Sequence, residues 1–330
     1  MLISVIIPVY NVAEWLPQCL DSVLDTDFDD YEIILVDDGS TDGKSGAICD
    51  EYAGMHPDLI KVIHQENGGP GASRNTGIEH AAGDYLLFVD SDDYIDSSIF
   101  EDLASYIKKY QSDIYLFGYC PVVNDVVKEK VTANLPFGVQ LSLDKNPEIL
   151  LLEPSPWGKL WRRSLFVDNN ITFPIKFWYE DLRASLKLFA LADTIFNIDK
   201  AYYYYRIREN SIMNNTQLER NREIIDAIDD VFSFFEERGL KEKYYDELSF
   251  LALFHVLISA SSRIIRKDLK NPLLKEFSNY TKTFAKEIKQ NKYFNSMSQS
   301  RRLLFEMIYH KRYKLAAACL VIKDELDGVR

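Results

Sequence analysis

The sequence predicts an α/β domain built on a mostly parallel sheet, followed by an all-α C-terminal domain. Three observations carry this. Short, uniformly apolar, β-branched runs alternate with segments of helical apolar spacing early in the chain, the pattern of strands buried on both faces beneath crossover helices. Those runs end in acidic or turn-forming residues, at the strand ends where such sheets bind ligands. From about Asn215 onward the apolar spacing is helical and glycines are few. The domains read as 1–212 and 213–330, with a boundary near Asn210, Asn214 and Asn215.

Leu2–Pro8 is a β-branched run stopped by proline and reads as a buried strand. Ala13–Leu24 follows with Trp15, Leu16, Cys19, Leu20, Val23 and Leu24 at helical spacing. Tyr31–Val36 is a second strand, and Asp37-Asp38-Gly39-Ser40-Thr41-Asp42 after it is turn and cap chemistry leading into a helix around Ser45–Ala53. Ile60–His64 is a third strand. The glycine-rich Asn67–Ala72 opens a helix to about Ala82, and Tyr85–Val89 is a fourth strand ending on Asp90-Ser91-Asp92-Asp93. A helix over Ser98–Tyr110, a strand over Ile114–Tyr119 and a less regular stretch to about Lys176 come next. A helix is expected from Glu180, then strands over Thr194–Ile198 and Ala201–Arg206.

The four cysteines are scattered, and the apolar N-terminus lacks a basic leader. Together they predict a reducing, cytoplasmic setting. Phe250–Ala260, the longest apolar stretch, is too short to span a bilayer. The net charge of −13 is uneven: residues 1–237 hold 19 Lys and Arg against 41 Asp and Glu, residues 238–330 hold 19 against 10. An acidic catalytic part gives no reason to expect nucleic acid. The basic remainder suits an anionic surface or simply solvated helix faces. Arg301-Arg302-Leu303-Leu304-Phe305, then Lys311-Arg312-Tyr313-Lys314, mix basic and apolar residues. They fit a peripheral helix at the inner face of a membrane, or packing against other helices or a second subunit.

Carboxylates gathered at one strand end cost free energy, so Asp90-Ser91-Asp92-Asp93 implies a compensating cation, or else a helix cap. Hard oxygen ligands suit Mg²⁺ or Mn²⁺, which keep positions open for phosphate. Four blocks then carry a resemblance: Pro8-Val9-Tyr10-Asn11; Glu32–Asp42; Asn67-Gly68-Gly69 with Ser73-Arg74-Asn75-Thr76-Gly77; and Phe88–Asp93. In order and spacing over residues 3–96 they resemble the family 2 glycosyltransferases of the GT-A fold, and looser similarity runs to about residue 212 through Trp157–Leu160, Glu180-Asp181 and Tyr203–Arg208.

The resemblance implies a UDP-sugar donor, a divalent cation (Mn²⁺ or Mg²⁺) and a lipid-linked or protein-linked glycan acceptor. Pro8, Val9 and Tyr10 would border uracil and ribose, and Asp38 would accept from the uracil ring. Asn67 and Ser91 belong to the same nucleotide-sugar set, and Arg74 would approach base or diphosphate. Asp90 would hold ribose or a metal-bound water, and Asp92 the metal. Asp181 would be the general base and Glu180 its partner, which implies single displacement with inversion. Trp157 and Lys159 fit the sugar or acceptor side, or the core; Arg206 and Arg208 could close over the diphosphate. None of the five histidines supplies the late metal ligand that some family members have. A nucleotidyltransferase would need a Gly-rich basic loop after the first strand, and a dinucleotide enzyme G-x-G-x-x-G; Val9–Ala13 provides neither. The rival from another class is an inactive nucleotide-sugar-binding scaffold, for which loss of Asp92 or Asp181 would be the mark.

Overall fold

The computed structural model describes residues 1–208, 217–284, 288 and 290–326. The chain divides into two compact units, Met1–Asn214 and Asn215–Arg330. The boundary residues Asn210, Asn214 and Asn215 lie outside the described residues.

The first unit is built on one mixed sheet. β1 (Ile3–Val9), β2 (Tyr31–Asp37), β3 (Ile60–His64) and β4 (Tyr85–Phe88) pair in parallel in the order β3-β2-β1-β4. The β-branched runs form these strands because both sheet faces are buried: Val5, Ile6, Ile7, Ile33, Ile34 and Leu35 are fully inaccessible. β5 (Tyr94–Ile95) is a short strand not foreseen in the sequence. β6 (Ile114–Val123) follows, paired with the short β7 (Val126–Val127), and β8 (Gln140–Leu141) pairs with the last strand of the unit. β9 (Lys159–Arg162) inserts antiparallel between β4 and β6. The two strands expected at the end of the unit are one, β10 (Ile195–Arg206), parallel to β6 with irregular register between Asn197 and Tyr203. Two expectations are thereby corrected. The final two strands are one, and the stretch to Lys176 contains pairing too short to leave a periodic signal.

The helices of this unit are α1 (Leu16–Leu24), α2 (Ser45–Met55), α3 (Pro70–His80), α4 (Ile99–Tyr110), α5 (Arg163–Val167) and α6 (Glu180–Leu191). α1 starts three residues later than expected, with Pro17 in its first turn, where no N–H is needed. α3 positions the site by close approach. A Cβ at Gly77 would press into Ile6 of β1, and one at Gly71 into the Pro174 carbonyl. Asn75 exchanges two hydrogen bonds with the Phe173 backbone, each 2.8 Å. α3 is therefore locked both to the sheet and to the segment leading into α6.

The second unit comprises α7 (Glu223–Glu237), α8 (Tyr245–Ile265), α9 (Leu273–Thr281), α10 (Lys292–Ser296), α11 (Gln299–Tyr309) and α12 (Tyr313–Leu326). α8 carries a π-helical stretch, Leu253–Ala260. Contrary to the reading from Phe250–Ala260 alone, α8 has the length and mean hydropathy (1.7) of a bilayer span. Yet 72% of that apolar stretch is buried inside the protein, as in the core helix of a helical domain.

Candidate active site

The parallel strands bring separated residues to one edge. Val9 pairs with Asp37, and Asp37 with His64. The Asp38 N–H donates to the Val9 carbonyl and the Val89 N–H to the Ile6 carbonyl. Tyr10, Asp38 and the Asp90 cluster thus leave neighbouring strand ends. Tyr10 is 45% exposed there, beyond buried Val9 and half-buried Pro8, and presents a ring face for stacking. Asn11, in the left-handed conformation (φ 51°), ties this loop to the next by accepting from the Thr41 and Asp42 N–H groups.

Asp38 is 3% exposed. One carboxylate oxygen accepts from the Gly68 N–H (2.9 Å) and Gln65 Nε2 (2.6 Å), the other from the Gly69 N–H (2.7 Å). Asn67 Nδ2 donates to its carbonyl at 3.0 Å. The side chain expected to accept from a base therefore already anchors the Asn67–Gly69 loop, which opens α3.

Arg74, on α3, is 5% exposed. Its guanidinium donates to Glu180 Oε1 (3.0 Å) and to Asp90 Oδ1 (3.1 Å), with its Cζ 5.5 Å from the Phe173 ring centroid. Burial works against its charge, but Asp90 and Glu180 outweigh this and raise its pKa. The acidic cluster is thereby joined to the start of α6.

In that cluster, Asp92 pairs with Arg208, and Asp93 is buried, accepting from the Tyr203 hydroxyl and the Arg206 N–H, each 2.7 Å. Ser91, between Asp90 and Asp92 in sequence, is also buried. Burial, then neighbouring Asp90, raises the Asp92 pKa against the pull of Arg208. Burial and the charges of Asp92 and Asp90 push Asp93 well above the carboxylate range. Such crowding is what a divalent cation would relieve, and hard carboxylate donors suit one. Among the described residues no group of three or more His, Cys, Asp or Glu forms a ready cage. Asp92 and Asp90 would therefore hold an ion that keeps most positions for phosphate and water, as Mg²⁺ and Mn²⁺ do.

Glu180 and Asp181 open α6, where the helix dipole favours acids. Asp181 Oδ1 accepts from the Leu182 N–H at 2.7 Å. Burial, then the adjacent Glu180, push its pKa up to about 7 against the lowering effects of that N–H and Arg74. Lys159 is buried, donating to the Ser155 carbonyl (2.8 Å) and the Trp157 carbonyl (3.3 Å); burial lowers its pKa to about 8. Trp157 is buried and stacked on Tyr203 (4.8 Å) and Tyr205 (5.1 Å). Trp157 lies just before β9 and Lys159 is its first residue, within the field of Asp181. Arg206, a candidate to close over the diphosphate, donates through Nε to the Asp92 carbonyl at 3.0 Å.

Asp93, Tyr203, Gln65 and Asn75 carry the site yet were not singled out. Asp93 sat in a turn-like acidic run and Tyr203 in a run of four tyrosines, so composition offered no way to separate them from neighbours.

Acids gathered with an arginine at the strand ends, with a carboxyl that burial raises to about 7 at the start of α6, mark a candidate active site in an α/β enzyme. Residues 4–166 match the family described as Glycosyl transferase family 2. GlyG of Streptococcus pneumoniae is 33% identical over 64% of this chain and 73% of its own length. GlyA of the same organism is 35% identical over 72% of this chain, and the match spans only 35% of GlyA. The structure of Staphylococcus aureus TarS 1–349 in complex with UDP-GlcNAc superimposes with a TM-score of 0.69 at 27% identity, covering 99% of this chain and 92% of that one. The chain belongs to glycosyl transferase family 2.

The raised Asp181 pKa predicts a stability effect. Unfolded, this carboxyl ionises near 4, folded near 7. Between those values the folded state binds more protons, so its contribution falls as pH rises through the window and stays low above it. Asp181→Asn should therefore melt several degrees higher than wild type at pH 8, with the gain shrinking at pH 5.5, by differential scanning fluorimetry. A lower melting temperature at pH 8 would contradict the assignment.

Proposed function

We propose that this chain is an inverting, metal-dependent transferase that moves a sugar from a UDP-sugar to an acceptor hydroxyl on a growing glycan. The observation that carries it is Asp181: a carboxyl pushed up to about 7, at the start of α6, next to a glutamate tied through Arg74 to the acidic cluster. A base poised near working pH takes a hydroxyl proton with the best balance of availability and strength. The UDP-GlcNAc complex of TarS supports a UDP-sugar donor.

In this reading Tyr10 stacks on the base, while Asp38 sets the shape of the nucleotide pocket by fixing the Asn67–Gly69 loop. Asp92, with Asp90, would hold the cation, whose charge offsets that of the leaving diphosphate. Asp181 removes the proton as the acceptor oxygen bonds to the anomeric carbon and the bond from that carbon to the diphosphate oxygen breaks. Glu180 is occupied by Arg74, so it is poorly placed to serve as a covalent nucleophile, and single displacement inverts the anomeric centre. The acceptor, on this view, is a lipid-linked or protein-linked glycan.

The second unit supplies a docking face. On α12, Leu315, Ala318 and Ile322 share one exposed stripe while Ala316 and Leu320 are buried. Arg301, Arg302, Lys311, Arg312 and Lys314 are exposed on α11, α12 and the turn joining them, as is Leu303. Apolar side chains rimmed by cations suit an anionic lipid surface.

Transfer is expected with a UDP-sugar and Mn²⁺. Asp181→Asn should cut turnover by about 10²–10⁴-fold while leaving donor-induced thermal stabilisation intact. Preference for a GDP-sugar across a donor panel, or full turnover in Asp181→Asn, contradicts the reading. For the docking face, the protein should cosediment with vesicles rich in phosphatidylglycerol and not with pure phosphatidylcholine. Lys311→Glu/Arg312→Glu should abolish this; a salt-insensitive homodimer that ignores vesicles would assign the face to self-association.

A further inference from the structure

His64, at the end of β3, stands apart from the residues so far given a role. Its Nδ1 lies 2.8 Å from Asp37 Oδ2 and its Nε2 lies 3.0 Å from Asp50 Oδ1 on α2. Both nitrogens facing carboxylates is the pattern of an imidazolium, since a neutral ring has only one N–H to give. The groups facing it are Asp37 from β2 and Asp50 from α2, with Gly46 of α2 close to the ring; the buried Cys49 thiol of α2 lies in the field of both aspartates. Among the described residues the ion pairs of Asp37 and Asp50 both run to His64.

What the ring holds matters. The other oxygen of Asp37 accepts from the Ser40 N–H at 3.0 Å, closing the turn that carries Asp38. The Asp37 carbonyl accepts from the Gln65 N–H at 3.0 Å, and the Gln65 side chain both reaches Asp38 and accepts from the Thr76 hydroxyl at 2.7 Å. His64 is therefore the charged pin beneath the turn and loop that Asp38 joins.

We propose that His64 is a positioning residue for donor binding: its imidazolium, clamped between Asp37 and Asp50, fixes the Asp37–Asp42 turn and the Asn67–Gly69 loop in the shape that receives the nucleotide. The proposal rests on the donor-site reading above and adds a pH dependence to it. The two hydrogen-bonded carboxylates, Asp37 first, raise the pKa of His64. The clamp is thus complete below the ordinary histidine range and is lost as pH rises through the raised value. Half of the ring is exposed (49%), so solvent protons reach it.

The test is donor KM and kcat from pH 6 to 9, with calorimetric donor affinity, for wild type, His64→Gln and Asp50→Asn. Asp50 is 65% exposed, so its substitution leaves the core untouched. His64→Gln should raise donor KM at pH 6.5 by about threefold to tenfold, the size of one partly exposed charged hydrogen bond, with kcat nearly unchanged. Wild-type KM should rise with pH, the His64→Gln profile should be flat, and Asp50→Asn should move the wild-type rise to lower pH. A lower melting temperature with unchanged donor KM makes His64 merely structural and overturns the proposal. A wild type that binds no nucleotide sugar overturns the donor-site reading, and this proposal with it.

Discussion

One buried cation organises the site. Arg74 is taken out of water on α3, and burying a guanidinium costs several kcal/mol, roughly, unless it is paired. Asp90 and Glu180 supply the pairing from elements 16 and 106 residues away in sequence. Much else follows. α3 must lie close on the sheet, which Gly77 permits at Ile6, and the chain before α6 must run alongside α3, which Asn75 enforces at Phe173. The geometry that satisfies one arginine also sets the acidic cluster beside the carboxyl pair.

The charge balance explains why the acids differ. Asp90 and Glu180 share the arginine, whereas Asp181, one residue on, has only the Leu182 N–H and the more distant field of Arg74 against burial. The result is a carboxyl pushed up to about 7 beside one held in an ion pair with Arg74. Asp93 is pinned by Tyr203 and Arg206, while Asp90 pairs with Arg74 and Asp92 with Arg208.

Much of the fold was legible because β1 to β4 are uniformly apolar and strongly punctuated, and α4 has a clear apolar stripe with acids early and lysines late. α3 was not legible from periodicity. Apart from Ile78, its contact face is Gly71, Ser73, Arg74 and Gly77, small and polar residues that pack by closeness rather than by apolar area, so its glycine-rich opening and not an apolar stripe pointed to it. β5, β7 and β8 are two-residue strands without a period to detect, and β9 hid behind Trp157. In the site, acids at strand ends pointed to Asp38, Asp90 and Asp92, and the family resemblance to Asp181. Partnerships did not show: that Asp38 is spent on the Gly68 and Gly69 N–H groups, or that Arg206 donates to the Asp92 carbonyl, depends on contacts between distant loops.

The claim that Arg74 couples the acidic cluster to the carboxyl pair at the start of α6 is tested most directly by a double-mutant cycle on kcat/KM with Arg74→Met, Glu180→Gln and the double variant. The pair should show a coupling of about 1–3 kcal/mol, the range for residues in one ion-pair network. Additivity within about 0.5 kcal/mol would mean that the two ends of the site act independently, and would contradict the account.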